Sequence, residues 1–194
     1  MRKSILSLIT FFLCSVISLS SFAGWHLDNK NSLLNFISVK KGAIAENHSF
    51  KTLEGSVDKN GQVNISVDLT SVDTNIAIRD ERMKKFVFET QQYTSAVFNA
   101  QLDKQLLAKL SAGDSKMATI NGTLNFHGHS QEVNFDVTVS KLNKDTLLVT
   151  TLKPFFIKAD AYGIVAGINK LKELASLPSI DYVVPVSFSV TFTR

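Results

Sequence analysis

Alternation with a period of two, repeated along most of this chain, restricts its fold more than any other feature. Val63, Ile65, Val67 and Leu69 alternate with Asn64, Ser66 and Asp68. Ala118, Ile120, Leu124 and Phe126 share one face, Val133, Phe135, Val137 and Val139 another, and Val184, Val186, Phe188, Val190 and Phe192 a third. Neighbouring side chains on a strand point to opposite sides, so each run is a strand with one apolar face to bury. Turn signals recur about every ten residues, with no linker, repeat or low-complexity run between them, which points to one all-β domain, a sandwich or a barrel.

Strands are expected at 33–39, 44–50, 53–57, 63–69, 97–102, 117–126, 132–139, 146–157 and 183–192. Asn60-Gly61 reads as a two-residue type I′ hairpin turn, since both residues tolerate positive φ. His127-Gly128-His129-Ser130 joins the strands on either side of it. Two segments break the strand rhythm. In 76–88, Asp80 and Lys84, then Glu81 and Lys85, stand four apart with the acid first, an order that supports a helix. In 164–177, Ile168, Leu171, Leu174 and Ala175 recur at helical spacing and Pro178 stops the run. Helices this short need a surface to lie on, and the open end of a barrel provides one.

The first 23 residues have the pattern of a cleaved secretory leader. Arg2-Lys3 supplies the positive start, Ile5 to Leu19 the apolar run, and Ser21-Phe22-Ala23 the small residues before a cut at Gly24. That run is short of the roughly 20 residues a spanning helix needs. Cys14 lies within it and lacks the small flanking residues of a lipidation site. A single domain, 24–194, then remains, without any Cys, which excludes disulfides, thiolate metal sites and Cys nucleophiles. Loss of Arg2 and Lys3 from 21 cations against 17 acids lowers the net charge from +4 to +2. A net charge that small gives no electrostatic case for nucleic acid. The Asn-x-Ser/Thr triplets at Asn47, Asn64 and Asn121 are read as accidental, and a bacterial periplasm or the extracellular space as the address.

From Glu46 to Ala100 the chain resembles the YceI-like family of exported, lipocalin-like proteins that bind polyisoprenoid lipids. The residues that carry the likeness are Asn47-His48-Ser49-Phe50 with Leu53-Glu54-Gly55, the run Asp68 to Thr74, Ile78-Arg79-Asp80-Glu81-Arg82-Met83, Phe88-Glu89 and Ala96-Val97-Phe98. Gly122-Thr123-Leu124, His127-Gly128 with Val133, Asp160 with Tyr162-Gly163-Ile164, and the closing Val-x-Phe strand extend it to Phe192. Arg82 departs from the family, in which a His commonly follows the Arg-Asp pair by two, and Thr94 stands where Pro is frequent.

The resemblance implies an antiparallel, lipocalin-like β-barrel of about eight strands with two short helices at its end. A barrel of that size is either filled by its own side chains or holds one small ligand, and alternation alone leaves both open. The family implies the hollow form, holding a long-chain polyisoprenoid, a quinone or another prenyl lipid, for carriage or storage in the periplasm. Candidate lining residues are then Phe36, Phe50, Ile65, Val67, Phe98, Leu124, Phe126, Phe135, Val137, Phe188 and Val190, with Met83, Phe86 and Tyr162 near an entrance. The plain alternative for each is core packing. Arg79 and Arg82 are candidates for a ligand headgroup, because a guanidinium matches phosphate geometry. A fixed ion pair for Arg79, or an N-cap by Asp80, is the simpler reading.

His127 and His129 stand two apart but flank a turn glycine, so no metal site is expected, and no cofactor. His26 and His48 read as hydrogen-bonded surface or rim residues. No nucleophile elbow, His-Glu-x-x-His or phosphate loop occurs, and catalysis is not expected. A donor or acceptor protein at a membrane and a second copy of the chain stay open as partners. The competing readings are a small outer-membrane β-barrel with its apolar rows facing lipid, and an exported hydrolase.

Overall fold

The computed structural model describes residues 24–194. The expected leader, with Cys14, lies outside the described residues. The order of elements is β1 (Trp25–Lys40), β2 (Ile44–Phe50), β3 (Leu53–Val57), β4 (Gln62–Asp68), β5 (Val72–Asp73), α1 (Ala77–Arg82) running on into a π-helical turn (Met83–Val87), β6 (Ser95–Gln101), α2 (Lys104–Ala108), β7 (Ser115–Phe126), β8 (His129–Asn143), β9 (Thr146–Thr151), β10 (Phe155–Lys158), α3 (Val165–Leu174) and β11 (Val183–Thr193). Every strand pair is antiparallel, and pairing of β1 with β11 closes the sheet on itself. Eight staves make the barrel, since β2 with β3, β4 with β5 and β9 with β10 are each one stave broken by a short interruption.

The breaks have local causes. Between β4 and β5, Leu69–Ser71 forms a 3-10 turn whose first N–H groups are met by Asp68: its carboxylate accepts from Thr70 N. The Ser71 hydroxyl accepts from Thr52 N across the gap between β2 and β3. β1 bulges between Asp28 and Leu33 at the same level. There Asn29 Oδ1 accepts from Leu53 N at 2.7 Å, and Ser32 Oγ accepts from Thr191 N of β11. The stretch 146–157, expected as one strand, divides at Leu152-Lys153-Pro154, because Pro has no N–H to give a ladder.

The turns are distributed differently from the expectation. Between β3 and β4 the chain uses a four-residue loop with Gly61 N bonded to Asp58 O, in which only Gly61 has positive φ. The Asp58 carboxylate accepts from the N–H groups of Asn60 and Gln62 and holds that loop, so Asn60-Gly61 is not a type I′ turn. The two-residue turn with both φ values positive is His127-Gly128, between paired Phe126 and His129.

Polar alternates lie outside and bond across strands, as in Asn64 to Asn99, Thr119 to Asp136 and Thr123 to Glu132. The apolar rows face in. α1, the π turn and α3 lie together over one end of the barrel, where Met83, Val87, Phe88 and Ile168 are buried. At the other end Leu106 and Leu107 of α2 pack with Leu110, Val137 and Val139. Neither expected four-apart ion pair forms on α1. Asp80 turns back to accept from Thr74 N and Thr74 Oγ1, and Glu81 pairs with Lys84 instead. Ile76 occupies the N-cap position without a side-chain bond, so Asp80 secures the loop before the helix rather than capping it.

Candidate functional site

The inward rows do not fill the barrel. They enclose a cavity of about 570 Å³ that runs from Leu102, Leu107 and Val139 near α2 to Ile76, Ile78 and Ile180 at the helical end. Phe36, Phe50, Ile65, Val67, Met83, Phe98, Leu124, Phe126, Phe135, Phe188 and Val190 all line it, as do Arg79 and Arg82. Three candidates do not reach it. Val137 shares the inward row of β8 with Phe135 and Val139, which line the cavity, but is itself wholly buried against its neighbours. Tyr162 is buried beside Phe126, its hydroxyl without a hydrogen-bond partner. Burial raises its pKa above the usual phenol range. Phe86 sits on the outer side of the π turn, with Lys85 Nζ 5.2 Å from its ring centre.

Aromatic rings form much of the wall. Phe98, Phe155 and Phe188 each lie against Phe135, with centroids 5.1 to 5.3 Å apart. A second chain of rings runs Phe36, Phe50, Phe88, Phe126, with spacings of 5.3, 5.6 and 6.1 Å. Such tilted contacts fix ring positions while leaving apolar faces toward the cavity. Phe88 and Phe155 were not among the sequence candidates. Phe155 shares its parity with Ile157, and the signal was hidden by the break at Pro154.

Near the helical end the lining changes character. On β1 the inward row reads Leu34, Phe36, Ser38, Lys40, and on β2 it reads Phe50, His48, Glu46. Phe36 faces His48 across the pair, and Ser38 faces Glu46. Glu46 Oε2 lies 2.6 Å from Lys40 Nζ and 2.9 Å from Arg79 Nη1, and Arg79 also donates to Thr74 O at 2.7 Å. The fixed ion pair of Arg79 is therefore with Glu46, 33 positions away in the chain. Lys40 first and Arg79 second hold the Glu46 carboxyl below the ordinary range, against an opposing effect of burial.

His48 is 3% exposed, which places it in the neck of the cavity rather than on the surface. Its Nε2 is 2.8 Å from Ser38 Oγ, and its Nδ1 has no partner. Burial, and then the Arg79 cation, lower its pKa and so favour the neutral ring. Arg79 Nε is likewise buried and unpartnered. Arg82 donates to Leu174 O at 3.4 Å and, among the described residues, has no acid within ion-pair distance. The result is an apolar tube with a polar collar at one end.

His127 and His129 do not converge. His127 Nε2 lies 2.8 Å from Glu89 Oε2 and Nδ1 lies 3.1 Å from Tyr162 O, which ties the turn to the end of the π helix. No group of three metal-ligating side chains occurs among the described residues.

A family model described as a YceI-like domain matches residues 25–192. No curated protein sequence matches the chain. Among solved structures, a polyisoprenoid binding domain from Saccharophagus degradans, implicated in plant cell wall breakdown, is 34% identical and superposes with a TM-score of 0.85, covering 88% of this chain and 98% of its own. Burkholderia cenocepacia BcnA, 18% identical, gives 0.66 over 85% of this chain and 98% of its own, a likeness of fold. A Campylobacter jejuni YceI protein, 14% identical, gives 0.50 over 100% and 99%.

Proposed function

This chain belongs to the YceI-like family, and from that membership we propose that it is a periplasmic binding protein for a long-chain polyisoprenoid, a quinone or another prenyl lipid, which it carries or stores. The observation that carries the reading is the apolar tube of about 570 Å³. Burial of a prenyl chain there supplies up to about 0.8 kcal/mol per CH₂ before ordering costs. The polar collar of Ser38, His48, Glu46, Lys40 and Arg79, with Arg82 beside it, suits an oxygen-bearing head at the end of such a chain. The solved Saccharophagus domain, described as polyisoprenoid binding, supports the same ligand class.

Export follows from the leader pattern of 1–23, and cleavage before Gly24 is its expected product. The outer-membrane alternative fits poorly, because a lipid-spanning barrel turns its apolar row outward, and here Ile65, Phe98 and Leu124 face in while Asn64 and Asn99 face out.

Organic extraction of the purified mature protein, followed by mass spectrometry, tests the reading. A prenyl lipid is expected. Repeatedly empty preparations that also fail to take up isoprenols in a chain-length-dependent way would end it.

A further inference from the structure

The cavity does not end at its polar collar. Ile76 and Ile78 line it and yet are 46% and 60% exposed, so they form its outer lip. Helix α1, which bears Ile78, buries none of its residues. Ile44 continues the inward row of β2 beyond Glu46, outside the cavity lining, and is 44% exposed. The hairpin that carries it is held to the facing loop by Lys41 N donating to Ser179 O. Three isoleucines thus stand exposed on the segments that flank the collar of charges. Among the described residues, the cations Lys41, Arg82 and Lys85 on the segments around this rim make no ion pair, against two acids that make none, Asp181 and Asp80, and Asp80 is occupied by Thr74 N and Oγ1.

A tail dragged through water would forfeit the burial that holds it. Resting on the reading of the cavity as a prenyl-lipid site, we propose that this lip is the surface by which the protein sits on an anionic bilayer, so that the tube opens directly onto the acyl region. Exposed branched side chains enter the boundary between headgroups and chains, and the free cations meet the negative surface.

Flotation with vesicles tests this, using phosphatidylcholine alone and equal parts of phosphatidylcholine and phosphatidylglycerol. The mature protein is expected to float with the anionic vesicles, and roughly tenfold less with neutral ones or in high salt. Ile76→Ser with Ile78→Ser is expected to abolish flotation, and Ile44→Ser, at a position outside the cavity lining, to weaken it while uptake of a long-chain isoprenol from detergent micelles stays at the native level. Lys41→Gln, outside the cavity, is expected to weaken flotation on anionic vesicles only. Flotation of a protein that takes up no isoprenol supports the lip and counts against the ligand reading alone. A native chain that floats with neither vesicle, or a double variant that floats as well as the native chain, overturns the proposal. So does a native dimer that the double substitution splits, since the lip would then join two copies.

Discussion

Gly167 of α3 lies directly against the carbonyl of Phe86 in the π turn, so closely that a Cβ at Gly167 would overlap the oxygen. The two helical segments that cover the barrel end therefore meet backbone to backbone. Ala is about 1 kcal/mol better than Gly inside an isolated helix, so the sign of Gly167→Ala separates propensity from contact. The variant is expected to lose about 1–3 kcal/mol, the range for overpacking, measured by urea unfolding. A gain in stability would show that the segments can separate freely.

Ala96 lines the cavity and touches both of its apolar clusters. Ala96→Phe places a ring in space the native chain leaves open. Stability of the unloaded protein is expected to hold or rise by about 1 kcal/mol, while the longest isoprenol retained in a chain-length series becomes shorter. Unchanged retention across the series would show that the tail does not pass Ala96.

Glu46 joins Lys40 and Arg79. Glu46→Gln removes the negative charge from beside Lys40 and the half-buried guanidinium of Arg79 and is expected to cost about 1–2 kcal/mol, between the values for exposed and buried pairs. The pH dependence has a definite sign. The folded carboxyl titrates below its ordinary value of 4.5, so its contribution is complete above that pH and disappears as pH falls through the lowered value. Acid titration of stability in the native chain and the variant should differ in that range and run parallel above it.

His48 gives a test of the same sign at higher pH. It is a base lowered from 6.5 by burial, so the unfolded chain takes up a proton first. Stability is complete above about pH 6.5 and falls as pH drops below it. His48→Phe, packed on Phe36, is expected to flatten that slope. Equal slopes in chemical denaturation between pH 7 and pH 5, the interval in which an ordinary His titrates, would place the titrating group elsewhere.

Asn29 in the β1 bulge accepts from Leu53 N, and Leu53 is 2% exposed. Asn29→Ala strands that amide and is expected to cost about 1–3 kcal/mol. Faster hydrogen exchange confined to the start of β3 would accompany it. Protection equal to the native level would mean that the Asn29 bond is not what shields that amide.

The strands were readable because their chemistry is local. Val63, Ile65 and Val67 alternate whatever lies opposite, and the bounds of β2 and β3 follow the sequence expectation residue for residue. The turn at Asn60-Gly61 was misread because Asp58, two residues upstream, captures the amides on which the loop is built. Two-residue β5 was too short to carry a period. α2 carried only one signal, Asp103 accepting from Gln105 N ahead of it. In the site, apolar parity marked most of the wall, whereas Val137 and Val139 sit on one row and only packing decides which of them faces open space. The partnership of Arg79 with Glu46 depends on where β2 ends relative to α1, which no spacing in the sequence expresses.

The interruptions at 51–52, 69–71 and 152–154 fall on neighbouring staves or one stave removed from the β1 bulge, at one height around the wall. Ladder bonds are sparse at that height and dense beneath it, so bending collects there as it does at a scored line in sheet metal.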